Sequence, residues 1–264
     1  MIDLDGTVVP YFHEFAEPSP RVVKAVAATL AAGVPVVVAT GRPIWSTLPT
    51  TASLGLDGTV VASNGAVLYD VAAGALVHEV KIDPRPVALA LAEVAPDAGF
   101  AVEHGTEGYL YTAGFARDFP SAFVREAPFE EVLAAPTTRL ICRLPREQTD
   151  PATGRCPEAA AVAATANYDR EQYFCEVGYS GWIDVSAHGI TKAAGVALLA
   201  RELGVDAADA AAIGDGHNDL PMFAWAGHAV AMGQAPLDVQ AAADEVTASV
   251  LDDGVAVTLE RWFA

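Results

Sequence analysis

Basic residues are scarce in this chain, whose 264 residues include 15 Lys and Arg against 34 Asp and Glu. The resulting net charge of −19 at pH 7 repels the phosphates of nucleic acid and the anionic surface of a membrane. The composition therefore argues against nucleic acid and membranes as partners. A phosphate-bearing substrate would need strong local positive charge, from a metal ion or from Lys and Arg, to overcome this background.

Cysteine and long apolar runs are also scarce. The most apolar stretch, residues 25–39, is interrupted by a glycine and a proline and is too short to span a bilayer. The cysteines are odd in number and form no CxxC pair, which argues against a disulfide framework. We expect a reduced, cytoplasmic protein whose cysteines are packing residues. These cysteines are Cys142, Cys156 and Cys175.

At both ends of the chain, apolar runs rich in β-branched residues alternate with helical patterns. A helix that Ser19 caps and Gly33 ends is followed by a buried strand. This alternation is typical of a doubly wound α/β core, in which ligands bind at the carboxyl ends of the strands. The pattern predicts strands at 34–39, 59–62, 210–213 and 229–232, and further helices at 192–203 and 221–226.

The middle of the chain has a different pattern, with several strands in a row and few helices. This order indicates an α+β insert at residues 84–185, so that the core, residues 1–83 and 186–264, is discontinuous. Residues 145–157 are predicted to form a loop. The predicted strands of the insert are 100–104, 109–112, 138–144, 173–177 and 182–185, and its helices are 87–94 and 157–167.

Four short signatures carry the polar residues that suit chemistry. Together they supply carboxylates, a hydroxyl, an ammonium group and an acidic loop, an inventory that suits phosphoryl transfer from a small phosphate ester. The signatures are Asp3-Leu4-Asp5-Gly6-Thr7, Ala39-Thr40-Gly41-Arg42, Thr191-Lys192 and Gly214-Asp215-Gly216-His217-Asn218-Asp219.

The first signature places two carboxylates at the end of a strand. Residues i and i+2 of a strand point the same way, so Asp3 and Asp5 repel each other unless a cation or a proton intervenes. Mg²⁺, which prefers oxygen ligands, meets that need. Asp3 can attack phosphorus, and Asp5 can protonate the leaving alcohol and then activate water.

Lys192 occupies a position that ordinarily disfavours a cation. Thr191 resembles an N-cap, so Lys192 is predicted at the first helical position, where positive charge costs about 0.3–1 kcal/mol. A lysine beside a positive helix end is reasonable if both face an anion. Thr40 ends a buried strand, where its hydroxyl can bond a phosphoryl oxygen.

The acidic loop offers further metal ligands. Asp215 is the best candidate, and Asp219 is either a ligand or a group that orients Asp215 or a metal-bound water. Asn218 can bond the phosphate or the nucleophile, or merely cap the following helix. We interpret His217 as an ordinary surface residue. Arg42 either lies near the site or is solvated.

The order and spacing of the signatures resemble the haloacid dehalogenase-like phosphatases, specifically the Cof-type subgroup (subfamily IIB) with a large cap inserted in mid-chain. The resemblance is strongest at both ends and weak between about residues 84 and 179. It implies a doubly wound, Rossmann-like core with a mobile cap that sets specificity, and Mg²⁺-dependent hydrolysis of a small phosphorylated metabolite through a phosphoaspartate.

The resemblance also implies roles for individual residues. The implied catalytic residues are Asp3, Asp5, Thr40 and Lys192. The implied phosphate-binding residues are Thr40, Gly41, Arg42, Asn64, Lys192 and Asn218. The implied metal ligands are Asp3, Asp5, Asp215 and Asp219. Four arginines of the insert either contact a polar substrate or are solvated: Arg125, Arg139, Arg143 and Arg146.

Alternative functions stay open at this point. A phosphomutase would return the phosphoryl group to an acceptor. A receiver-like signalling domain also clusters aspartates around Mg²⁺, but Asp5 and the large insert argue against it. A non-catalytic binding protein would not need the full set of polar residues. The substrate and the oligomeric state are left open.

The first strand is unusually short. Only Met1 and Ile2 precede Asp3, whereas strands typically run about 5–6 residues and this one is expected in the middle of a parallel sheet. A clipped central strand leaves backbone groups of its neighbours without partners. We expect the natural chain to begin several residues upstream; the alternative is that solvent or another segment fills the gap.

Overall fold

The computed structural model describes residues 1–11, 17–117, 119, 121–145, 156–178 and 181–263. The chain forms two compact units, a terminal unit of residues 1–79 with 190–264 and a middle unit of residues 80–189. The boundaries predicted from the sequence lie after residues 83 and 185. Among the residues that the structure describes, no helix combines the length and apolar composition needed to cross a membrane.

The secondary structure consists mostly of short elements. The strands are β1 (Thr59–Ala62), β2 (Val67–Asp70), β3 (Ala75–Glu79), β4 (Gly99–His104), β5 (Gly108–Tyr111), β6 (Phe123–Glu126), β7 (Leu140–Arg143), β8 (Tyr173–Val177), β9 (Trp182–Ala187), β10 (Ala211–Gly214), β11 (His228–Ala231) and β12 (Glu245–Val246). The helices are α1 (Pro20–Ala31), α2 (Ile44–Ser53), α3 (Arg85–Val94), α4 (Phe129–Val132), α5 (Pro157–Thr165), α6 (Lys192–Leu203), α7 (Leu220–Trp225), α8 (Leu237–Ala241) and α9 (Gly254–Phe263).

The terminal unit is built on a sheet whose centre is parallel. Strands β10, β11 and β12 pair in parallel, whereas β1, β2 and β3 pair antiparallel. Single parallel bridges join the two groups, since Ile2 pairs with both Val38 and Ile213, and Ala39 pairs with Val61. The order across the sheet is therefore β12, β11, β10, the chain start, residues 38–39, β1, β2 and β3.

Helices cover both faces of this sheet. Successive residues of a strand point to opposite sides, and here both sides carry apolar residues that helices can bury. Ile2, Val38 and Ile213 pack on one face with residues of α1, α2 and α9. Ala39 and Ala212 pack on the other face with residues of α6, α7 and α8. This arrangement confirms the predicted doubly wound α/β core.

The predicted strand at 34–39 is wrong for most of its length. Only Val38 and Ala39 pair, and Val34 is exposed. A strand forms only where a neighbour supplies backbone partners, and each neighbouring segment pairs here through a single residue. On one side the Ile2 N–H donates to the Val37 carbonyl and its carbonyl accepts from the Ala39 N–H; on the other side the Val61 N–H donates to the Val38 carbonyl. Residues 34–37 instead line a largely apolar groove of about 200 Å³, together with residues of α6 and α9.

The middle unit contains a six-stranded sheet in the order β6, β5, β4, β7, β9, β8. Its neighbouring strands are antiparallel except β5 and β6, which are parallel. Helices α3, α4 and α5 pack against one sheet face through a cluster that includes Leu91, Val132, Leu140, Ala159 and Ile183. Strand β6 and helix α4 are not among the elements predicted from the sequence. Of the predicted loop at 145–157, residues 146–155 lie outside the described residues.

Candidate active site

The chain turns sharply after Ile2 and presents its first carboxylate at the carboxyl end of the parallel strands. The Asp3 N–H donates to the Ile213 carbonyl at 3.0 Å, which completes the bridge between Ile2 and Ile213. Gly6 then adopts a φ of +77°, and a Cβ atom there would lie 2.2 Å from Oδ2 of Asp215. The glycine therefore permits both the left-handed turn and the close approach of the acidic loop.

Helix α6 carries Lys192 into the same place. Thr191 caps the helix by accepting a hydrogen bond from the Ala194 N–H at 3.2 Å, so Lys192 is the first helical residue as the sequence predicted. The start of α6 packs closely on the turn after β1, where a Cβ atom on Gly65 would lie 2.0 Å from the Thr191 carbonyl oxygen. Ser63 and Asn64 in that turn also have positive φ, 49° and 54°.

The ammonium group of Lys192 joins the first and last signatures. It donates to Oδ1 of Asp3 and to Oδ1 of Asp219, both at 2.7 Å, and the lysine side chain is fully buried. The second carboxylate oxygen of Asp219 accepts the N–H groups of Asp215 at 2.9 Å and of Gly216 at 3.0 Å. Asp219 therefore shapes the acidic loop as well as holding the lysine.

Three buried carboxylates converge at this point. Asp3, Asp215 and Asp219 each offer an oxygen atom, and these atoms all lie within 4.8 Å of one another. One ammonium group against three carboxylates leaves an excess of negative charge. The Oδ2 atom of Asp3 accepts no hydrogen bond from the described residues. Because hard, oxygen-only donors suit Mg²⁺, this set fits the predicted ion.

The carboxylate of Asp5 is engaged elsewhere. It accepts two hydrogen bonds from the guanidinium of Arg42, from Nε at 2.8 Å and from Nη2 at 2.6 Å. Helix α2 anchors the same guanidinium, whose Nη1 lies 3.4 Å from the Ser46 carbonyl and 3.3 Å from Oγ1 of Thr50. The side chain of Asp5 is not part of the three-carboxylate group, and Arg42 is buried rather than solvated.

The remaining predicted residues lie beside these. Oγ1 of Thr40 is buried and accepts the Arg42 N–H at 3.1 Å. Nδ2 of Asn218 donates to Oδ1 of Asn64 at 3.2 Å, and a Cβ atom on Gly41 would lie 3.0 Å from that oxygen. The turn after β1 thus joins the second signature to the acidic loop. His217 pairs with Asp238 at the surface, consistent with its interpretation as an ordinary residue.

Burial opposes the charges in this cluster. It raises the pKa of Asp3 well above its ordinary value, although the Lys192 ammonium acts in the opposite direction. It raises the pKa of Asp215 to about 6, although a hydrogen bond from Tyr11 lowers it. Burial lowers the pKa of Lys192, but Asp219 and Asp3 outweigh it and raise that pKa above its ordinary value. The lysine is therefore charged, and a bound cation would favour the ionised carboxylates.

Two residues outside the signatures also contact the cluster. Tyr11 donates its hydroxyl to Oδ1 of Asp215 at 3.1 Å, and Gln234 donates Nε2 to Oδ2 of Asp215 at 3.3 Å. The position of Gln234 just beyond β11, a parallel strand whose carboxyl end faces the same sheet edge, was a signal that could have found it. Nothing in the sequence marks Tyr11.

Within the middle unit, described arginines have partners of their own. The pairs are Arg125 with Glu131, Arg139 with Glu103, and Arg143 with the Ala116 carbonyl oxygen. Arg139 and Arg143 are buried, so they are not solvated side chains. Arg146 lies outside the described residues.

Known proteins resemble this chain over nearly its full length. A pyridoxal phosphate phosphatase of Escherichia coli is 27% identical over 280 residues, covering 97% of this chain and 94% of the relative. A solved phosphatase of the haloalkanoate enzyme superfamily from Bacteroides thetaiotaomicron is 26% identical with a TM-score of 0.78, covering 99% of this chain and 93% of the other.

A solved sugar phosphatase described as subclass IIB has the same fold, with 24% identity, a TM-score of 0.78, and coverage of 99% of this chain and 97% of the other. The family description of haloacid dehalogenase-like hydrolases matches residues 1–259. The match therefore spans both units and all four signatures. The chain belongs to the haloacid dehalogenase-like hydrolase family.

Proposed function

We propose that this hydrolase is a Mg²⁺-dependent phosphatase that acts on a small phosphomonoester through a phosphoaspartate on Asp3. The observation that carries the proposal is the buried Lys192 ammonium, shared between Asp3 and Asp219 beside a third carboxylate, Asp215. Such a cluster combines a nucleophile, a fixed positive charge and oxygen ligands for a cation. The phosphatase relatives support the same reaction class.

In the first step, Asp3 attacks phosphorus with the carboxylate oxygen that Lys192 does not hold, and the bond from phosphorus to the alcohol oxygen breaks. Asp5 enters the cycle in its protonated form, released from the pair with Arg42, and gives its proton to the departing alcohol. In the second step Asp5 takes a proton from water, whose oxygen bonds to phosphorus as the bond to Asp3 breaks. Phosphate leaves, and both carboxyl groups return to their starting forms.

The other residues stabilise charge and hold position. Lys192 and the N-terminus of α6 neutralise the transferred group, and the hydroxyl of Thr40 and the amide of Asn218 bond its oxygens. Asp3 and Asp215 would hold Mg²⁺, which supplies further positive charge, while Asp219 orients the loop. The guanidinium of Arg42 holds Asp5, and Asn64 holds Asn218.

The substrate we propose is a sugar phosphate or a similar phosphorylated metabolite. Relatives that are named a sugar phosphatase and a pyridoxal phosphate phosphatase support this class. We assign the middle unit the role of a cap that contacts the leaving group and excludes bulk water. A reducing cytoplasmic compartment fits the three cysteines, which are all free.

Phosphate release from p-nitrophenyl phosphate tests the proposal. Steady turnover with Mg²⁺, loss of activity after chelation, and poor replacement by Ca²⁺ are expected, because Ca²⁺ accepts looser geometry. Full activity after exhaustive chelation would rule the mechanism out. A single turnover without continued release would instead indicate a phospho-accepting domain. If turnover is steady, a panel of phosphorylated metabolites identifies the leaving group.

A further inference from the structure

Gln234 ties together three separate segments of the terminal unit. It lies in the loop between β11 and α8, where Nε2 donates to the Gly6 carbonyl oxygen at 2.5 Å and to Oδ2 of Asp215 at 3.3 Å. Its Oε1 atom accepts the Val250 N–H at 2.9 Å. Both ends of the carboxamide are therefore used, which fixes its orientation.

Asp215 is held differently from the other carboxylates of the cluster. Asp3 and Asp219 each contact the Lys192 ammonium, whereas the described side chains that bond Asp215 are both uncharged. A neutral donor orients a carboxylate without cancelling its charge. Asp215 therefore keeps its negative charge for a cation, while its direction is fixed by Tyr11 and Gln234.

The backbone contact gives the carboxamide a second role. Gly6 follows the two aspartates of the first signature, and its lack of a side chain lets Asp215 approach. By bonding both the Gly6 carbonyl and Asp215, Gln234 sets the distance between the first signature and the acidic loop. Removal of a group that hydrogen-bonds to a metal ligand commonly weakens metal affinity by roughly 10–100-fold.

We infer that Gln234 is a positioning residue for divalent cation binding, which acts by holding the Asp215 carboxylate against the turn at Gly6. The inference rests on the proposed function, in which Asp215 is a Mg²⁺ ligand. A charged residue would not serve: a lysine would neutralise Asp215, and a glutamate would accept hydrogen bonds instead of donating them.

The test compares Gln234→Met with Gln240→Met in the full chain. Both substitutions keep an unbranched side chain and remove an amide. Nε2 of Gln240 bonds the carbonyl oxygens of Gly233 at 3.2 Å and Ala235 at 2.8 Å, so it holds the same loop without touching Asp215. Calorimetric titration with Mg²⁺ in the absence of substrate gives Kd, and thermal unfolding gives the Tm of each variant.

We expect Gln234→Met to raise the Kd for Mg²⁺ about tenfold, with Gln240→Met within about twofold of the wild type. In turnover assays, the rate lost by Gln234→Met should recover as Mg²⁺ is raised. An unchanged Kd in Gln234→Met, or an equal rise in Gln240→Met, would overturn the inference. The inference on Gln234 can fail while the proposed function stands, if the wild type binds Mg²⁺ and Asp215→Asn does not. A wild type that binds no Mg²⁺ refutes both the inference and the proposed function.

Discussion

Each unit of this chain buries a cluster of charged residues, and the two clusters differ in how their charges are satisfied. In the middle unit, Arg139 lies 2.7 Å from Glu103 and 3.7 Å from Asp184. Thr138 donates to Glu103 at 2.7 Å, and Trp182 donates to Asp184 at 3.0 Å. Each of these two carboxylates thus meets both the Arg139 cation and a neutral donor.

The cluster of the terminal unit lacks that balance. Asp3 and Asp219 share one ammonium group, the described side chains that bond Asp215 are uncharged, and an oxygen of Asp3 accepts no hydrogen bond from the described residues. The difference teaches that a buried ionic network alone does not indicate a functional site. In the middle unit one guanidinium faces two carboxylates that other side chains also bond, whereas in the terminal unit one ammonium faces three carboxylates, which leaves the negative charge that the proposed Mg²⁺ would balance.

Replacing the nucleophile should give the largest effect. We expect Asp3→Asn to lower kcat by about a thousandfold or more, which is roughly 4 kcal/mol of barrier. The variant should keep or raise its Tm, because burial already disfavours the Asp3 carboxylate. Steady-state kinetics measure kcat and thermal unfolding measures Tm. The matched control is Asp57→Asn, because Asp57 is exposed. More than about a tenth of wild-type kcat would show that Asp3 is not the nucleophile.

Breaking the balanced cluster should cost stability. Arg139→Met leaves the buried Glu103 and the half-buried Asp184 without their cation, so we expect a loss of about 3 kcal/mol in the free energy of unfolding. Urea denaturation, monitored by hydrogen exchange of the middle unit, measures this loss of free energy. Arg125→Met breaks an ion pair with Glu131 at the surface and should have little effect. Equal effects of the two substitutions would contradict the contrast between the clusters.

A smaller effect should follow from loosening Asp5. Arg42→Lys keeps the positive charge but cannot hold both carboxylate oxygens, so we expect kcat to fall about tenfold, roughly 1.4 kcal/mol of barrier. The control is Arg21→Lys, since Arg21 also bonds both oxygens of a carboxylate, Glu260, at the surface. An Arg42→Lys variant with raised KM and unchanged kcat would instead assign Arg42 to substrate binding.

The sequence predicted the core well where local patterns suffice. Ser19 and Thr191 cap helices as expected. The three signatures at strand ends meet because the carboxyl ends of parallel strands share one sheet edge, and the start of α6 brings Lys192 to them. The strand at residues 34–39 was predicted too long, because hydrophobicity does not report whether a neighbouring strand offers partners. The pairing of Arg42 with Asp5 depends on a rotamer fixed by α2, which no spacing reveals.

The bridges at Ile2 also bear on how the chain is made. Ile2 lies between Val38 and Ile213 in the sheet, so the centre of the terminal unit needs residues from both ends of the chain. During synthesis at about 5–20 residues per second, residues 1–79 wait on the order of ten seconds for β10 to be translated. The middle unit is contiguous in sequence and needs no such wait. We therefore expect it to fold first on the ribosome, while the apolar faces of the early segment remain exposed and available to chaperones.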